Sequence, residues 1–109
     1  MTQDKNVRKV ILSITEKIKK EYRPEKIILF GSFAYGKPKK NSDIDLLIVK
    51  DTQERPIDRR VKVRRVVSNL RKGYPFSPIV ITSAEVSQRL KIGDQFLKEI
   101  LSHGEVLYG

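Results

Sequence analysis

The sequence predicts an α/β (α+β) chain, and three observations carry that prediction. Val7, Val10, Ile11, Ile14 and Ile18 recur at three- and four-residue intervals, the period of an amphipathic helix. Short, nearly continuous apolar runs at residues 26–30, 43–50 and 79–82 have the length and composition of buried strands. Helical patterns lie between and after these runs, so strands and helices share one core instead of forming separate all-α or all-β units.

The chain has 109 residues, 39% of them apolar and 33% charged, which predicts one domain spanning residues 1–109 with a single modest core. It has no cysteine, which excludes disulfides and thiolate metal sites and predicts a cytoplasmic protein in a reducing compartment. The start, MTQDKNVRKV, lacks the apolar core of a signal peptide, and no apolar run is long enough to span a bilayer, so no membrane association is expected. The formal net charge of +10 keeps nucleic acid open as a partner. A charged, solvated surface accounts for the same number and is the preferred reading. A nucleoside triphosphate would need only a few of these cations.

The elements follow in order. The first helix is expected from about Asp4 to Glu21, capped by Thr2 or Asp4 and ended by Pro24, which disfavours helical geometry at Arg23. Lys26–Phe30 is the first strand. Gly31 permits a tight turn, Ser32–Tyr35 can form one helical turn, and Gly36 and Pro38 end it. Lys37, Lys39 and Lys40 make the next loop strongly positive, and Asp43–Lys50 is the second strand. A second long helix starts near Pro56. Ile57, Val61, Val67 and Leu70 are its expected apolar face, with Val63 and Val66 at the margins. Arg59, Arg60, Lys62, Arg64, Arg65, Arg71 and Lys72 cover the remainder as a solvated face, and Gly73 is placed as its C-terminal cap. Tyr74–Pro78 leads into a third strand at Ile79–Thr82, and Ser83 is positioned to cap the next helix. After Gly93-Asp94 a last helix carries Phe96, Leu97, Ile100 and Leu101. It ends at His103-Gly104, where a histidine suits the helix dipole, and Glu105–Tyr108 is a short terminal strand.

Chemistry concentrates in LFGSFAYGKPKKNSDIDLLIV, residues 29–49. Residues two apart on a strand share a face about 6.6 Å apart, so Asp43 and Asp45 project together while Ile44 enters the core. Two unpaired carboxylates at that spacing repel by about 2.5 kcal/mol at an effective dielectric of about 20. A divalent cation turns that repulsion into binding, and Mg²⁺ takes one or two carboxylates with water and phosphate in its other positions. Gly31-Ser32, a strand end followed by a helical turn, directs backbone N–H groups and a hydroxyl toward an anion. Gly-Ser alone is usually just a turn, and Asp-x-Asp alone is often a solvated edge. The two together, each preceded by a strand, favour a nucleotide–metal site.

This stretch resembles the minimal nucleotidyltransferases of the DNA polymerase β-like superfamily. Their signature of Gly-Ser, ten residues and Asp-x-Asp stands here as Gly31-Ser32 and Asp43-Ile44-Asp45, with the usual Ala34, Gly36 and Ser42. The likeness extends to the Thr-Ser-Ala-Glu helix start and the ending His103–Tyr108. The resemblance implies a small mixed β-sheet with helices packed on it, the polymerase β-like nucleotidyltransferase core. It implies transfer of a nucleoside monophosphate, AMP from ATP, with pyrophosphate leaving. Asp43 and Asp45 would be catalytic and bind Mg²⁺, and Gly31, Ser32 and Ser42 would hold the nucleotide. The family's small helical HEPN-type partners, which some members modify with AMP, imply a toxin–antitoxin pair. A homo-oligomer stays open.

In one place the chain departs from the family. A third carboxylate is expected at the start of the third strand, yet residues 72–84 contain no Asp or Glu. Alignment on Ile79–Thr82 puts the missing Asp at Pro78, with Ser77 beside it. Glu85 and Asp58 are the nearest acidic residues that could substitute. This departure supports a second reading, a nucleotide-binding subunit that neutralises its HEPN-type partner by contact. A third is an RNA-binding module built on the Arg59–Arg65 helix face.

Overall fold

The computed structural model describes residues 1–109 and orders the chain as α1 (Lys5–Glu21), β1 (Lys26–Phe30), β2 (Ile44–Val49), α2 (Pro56–Val67), β3 (Phe76–Ile81), α3 (Ser83–Lys91), α4 (Gln95–His103) and β4 (Glu105–Tyr108). The four strands form one sheet in the order β3-β2-β1-β4. β1 runs antiparallel to both β2 and β4, while β2 and β3 are parallel and joined through α2, so the sheet is mixed as expected. No helix is long and apolar enough to cross a membrane.

Strand alternation sorts the apolar residues onto two faces. Ile27, Leu29, Ile44, Leu46, Ile48, Phe76 and Val80 face α1 and α2, and together with Val7, Ile11, Ile14, Ile18, Val63 and Val67 they form the larger core. Ile28, Phe30, Leu47, Val49 and Ile81 face the other way and meet only Leu97 and Ile100 of α4 as fully buried partners. α3 buries none of its residues. The second face is thus thinly covered, and its outer end is where Asp45 emerges.

α1 matches its periodicity and is capped by Asp4, whose carboxylate accepts from the amides of Asn6 and Val7. α2 departs from expectation. Its buried stripe is Arg59, Val63 and Val67, spaced four apart, whereas Ile57 and Val61 are 54% and 41% exposed. The helix ends at Val67, and Gly73, with φ +84°, sits in the following turn and does not cap it. Arg59 is not solvated either. Its guanidinium donates to the carbonyls of Glu54 and Val80 and to Glu85 Oε1 at 2.7 Å, which satisfies the charge where an apolar residue was expected.

Three smaller corrections bear on the site. β3 begins at Phe76, not Ile79, and accommodates Pro78 because it is an edge strand whose outer side needs no N–H donor. Thr82, not Ser83, caps α3. Its hydroxyl accepts from the amide of Glu85 while the Glu85 carboxylate accepts from the amide of Thr82, a reciprocal capping box. In α4 only Leu97 and Ile100 are buried, and Phe96 and Leu101 stay exposed.

Candidate active site

β1 ends at Phe30, and the chain turns at Gly31 with φ +77°, a conformation that side-chain-bearing residues rarely adopt. The turn that follows is helical in character, since the amides of Ala34 and Tyr35 both donate to the Gly31 carbonyl. The Thr2 amide ties down the Phe33 carbonyl at 2.7 Å, fixing the turn against the amino-terminal segment. The turn leaves the amides of Ser32 and Phe33 outside its internal backbone hydrogen bonds, and unpaired amides at such a turn are the donors an anion takes.

Phe30 is the register partner of Asp45. The Asp45 carboxylate lies directly against the Cα of Gly31, so that any Cβ there would collide with its Oδ2. The phosphate-type turn and the acidic strand start are therefore in contact. Asp43, just ahead of β2, accepts a hydrogen bond from the Ser77 hydroxyl at 2.7 Å. Ser77 is in turn the register partner of Asp45 on the parallel strand β3. Asp43, Asp45 and Ser77 thus gather at one end of the sheet.

The electrostatics suit a cation. Asp45 is half-buried, and burial first and the Asp43 charge second push its carboxyl up to about 6 from 3.8. A divalent ion beside these carboxylates would relieve both causes, and the donor set is the hard oxygen kind that Mg²⁺ takes. The residues present therefore fit the ion that the resemblance implies. Asp43, Asp45 and water or phosphate oxygens would be its ligands.

The neighbours are less uniform. Ser42 is close by, but its hydroxyl accepts from the Lys39 amide at 2.7 Å and closes the lysine loop. Lys37, Lys39 and Lys40 are exposed on that loop. The position expected for a third carboxylate is held by Ser77, not Pro78. Ser77 pairs with Asp45 and bonds Asp43, whereas Pro78 pairs with the buried Leu46. Starting β3 three residues earlier makes this placement readable from strand alternation alone. Neither substitute acid is near. Glu85 follows the far end of β3, where Ile81 pairs with Val49, and is engaged by Arg59 and Thr82. Asp58 is held by Arg55 at 3.0 Å. No group of three or more His, Cys, Asp or Glu side chains forms a ready metal cluster. His103 lies in the last turn of α4, as expected of a residue serving the helix dipole.

Comparison with known proteins identifies the family. The profile of the family described as "Polymerase beta, Nucleotidyltransferase" matches residues 13–109. Two proteins of Methanocaldococcus jannaschii, each named "putative protein adenylyltransferase", are similar over nearly the whole chain. One is 38% identical over 106 residues, covering 94% of this chain and 99% of its own length. The other is 31% identical over 110 residues, covering 96% and 74%. The crystal structure of a protein from Sulfolobus solfataricus described as a "putative nucleotidyltransferase" superposes with a TM-score of 0.53 at 28% identity, over 73% of this chain and 70% of that one. With the matched span and the Gly-Ser and Asp-x-Asp elements brought together at one sheet end, the chain belongs to the polymerase β-like nucleotidyltransferases, as a minimal member of that superfamily.

Proposed function

We propose that this protein is a Mg²⁺-dependent adenylyltransferase that moves AMP from ATP to a hydroxyl of a protein acceptor. The observation that carries the reading is the contact of Gly31 with the Asp45 carboxylate, which joins a phosphate-type turn to an acidic pair. The names of the two Methanocaldococcus jannaschii relatives support the choice of AMP and of a protein acceptor. In the step, the acceptor oxygen bonds to the α-phosphorus, the α–β anhydride bond breaks, pyrophosphate leaves, and the hydroxyl proton passes to water. The Gly31-Ser32 turn would hold the outer phosphates, with Ser42 shaping the adjoining loop. Asp43 and Asp45 would hold Mg²⁺, which when bound would supply charge neutralisation to the phosphates. Ser77 orients Asp43 from the side. A HEPN-type helical protein is the acceptor that the family resemblance favours, in a toxin–antitoxin arrangement.

Ser77 favours one second reading. With a hydroxyl where a third carboxylate is expected, the cleft is better equipped to bind a nucleotide than to activate an attacking group. The protein would then neutralise its partner by contact alone. Incubation with ATP labelled at the α-phosphate, Mg²⁺ and a co-expressed partner separates the two. Label on the partner, absent with Asp43→Asn, supports transfer; a stable complex without label supports the contact reading.

A further inference from the structure

The sheet face that carries Asp45 also carries an exposed aromatic ring. Phe30 and Asp45 are partners across antiparallel strands, so their side chains leave the same face about 4.8 Å apart. Phe96, near the start of α4, stands against Phe30 with ring centroids 5.8 Å apart and planes at 87°. That perpendicular contact covers at most one face of the Phe96 ring, and the residue remains 57% exposed. α4 does not need it for anchorage. Leu97 and Ile100, each 2% exposed, pack the helix onto the sheet, and Asp94 caps its start by accepting from the Leu97 amide at 3.0 Å. The other core aromatics, Tyr22, Phe33 and Phe76, and the adjoining Tyr74 all belong to the opposite face.

We propose that Phe96 is the stacking platform for the purine base of the nucleotide. This rests on the reading that Gly31-Ser32 and the Asp43–Asp45 pair hold the triphosphate. Ser32 follows Phe30 by two residues and Phe30 touches Phe96, so a base reaching back across Phe30 from phosphates anchored at the turn would meet the Phe96 ring. A large apolar ring kept in water beside a row that ends in a phosphate-type turn is matched by a ligand with a polar anionic end and a flat aromatic end. Stacking requires only a π-face and contributes affinity without reading base edges. The rival ring is Tyr35, 45% exposed on the turn itself.

The test is calorimetric titration of ATP and, separately, of inorganic tripolyphosphate, each with Mg²⁺, into the wild type, Phe96→Ala, Phe96→Leu, Phe96→Trp and Tyr35→Ala. Phe96→Ala is expected to weaken ATP about tenfold and leave tripolyphosphate unchanged. Phe96→Leu keeps an apolar side chain over Phe30 and is expected to lose ATP affinity equally, which separates the ring from packing. Phe96→Trp is expected to retain it. Unchanged ATP affinity in Phe96→Ala, equal loss of both ligands, or a selective loss in Tyr35→Ala alone overturns the subsite. ATP binding that ignores Phe96 overturns only the subsite, whereas a wild type that binds neither ligand overturns the nucleotide reading with it.

Discussion

At Gly31 the positive φ and the Asp45 carboxylate packed where a Cβ would stand make two independent demands for glycine. Gly31→Ala should therefore cost about 1–3 kcal/mol of stability and displace Asp45, weakening Mg²⁺-dependent nucleotide binding as well. A thermal melt and a titration on the same sample check it; a variant with wild-type melting temperature and affinity would refute the cradle. Ser77 makes the opposite kind of prediction. Ser77→Asp adds a carboxylate beside Asp43 and opposite Asp45, so Mg²⁺ should bind more tightly while the metal-free protein melts lower through like-charge repulsion. The two halves of the site were legible in the sequence because a glycine stop and an i, i+2 acidic pair are local signals. Ser77 was not, since Pro78 argues against a strand until the edge position is known.

For α2 the helix itself was readable but its orientation was not. Ile57 and Val61 are apolar and four apart, yet the helix turns the stripe Arg59, Val63 and Val67 inward. Periodicity alone could not choose, because the residue that completes the inner stripe is an arginine made tolerable by Glu54, Val80 and Glu85. Val63→Ala should cost about 2 kcal/mol by leaving a void under α2. Ile57→Gln should change stability by less than about 0.5 kcal/mol. Denaturant unfolding of both variants checks the assignment, and the reverse ranking would show the helix rotated. The basic face that suggested RNA contact loses Arg59 to this buried pair, which weakens the case for that helix as a phosphate track.

Across the whole molecule, two helices bury one face of the sheet and leave the outer end of the other open, and the acidic pair occupies that opening. This division sets the pH response of the metal-free protein. Asp45, raised to about 6 from 3.8, binds a proton in the folded state that the unfolded chain has lost between about pH 4 and 6. Its contribution to stability therefore falls as pH rises through that window. Glu85 acts in the other sense. The hydrogen bond from the Thr82 amide above all, helped by the Arg59 guanidinium, holds its carboxyl below 4.5, so its contribution is present above that value and lost as pH falls through the lowered one. Melting temperatures against pH should show Asp45→Asn flattening the decline from pH 4 to 6 and leaving the metal-free protein more stable than wild type at pH 7. The order of elements and the alternation of the strands foretold this scale well. The thin cover by α3 and α4 was hidden, because exposed Leu90, Ile92 and Phe96 look like core residues until the fold places them.

Whether the Gly31-Ser32 turn and the Asp43–Asp45 pair form one nucleotide–Mg²⁺ site is decided by calorimetric titration of ATP with and without Mg²⁺. The wild type should bind ATP only with Mg²⁺, and the Asp43→Asn, Asp45→Asn double variant should lose that binding while keeping its helical spectrum and melting no lower than the metal-free wild type. Equal ATP affinity in the two proteins would contradict the site.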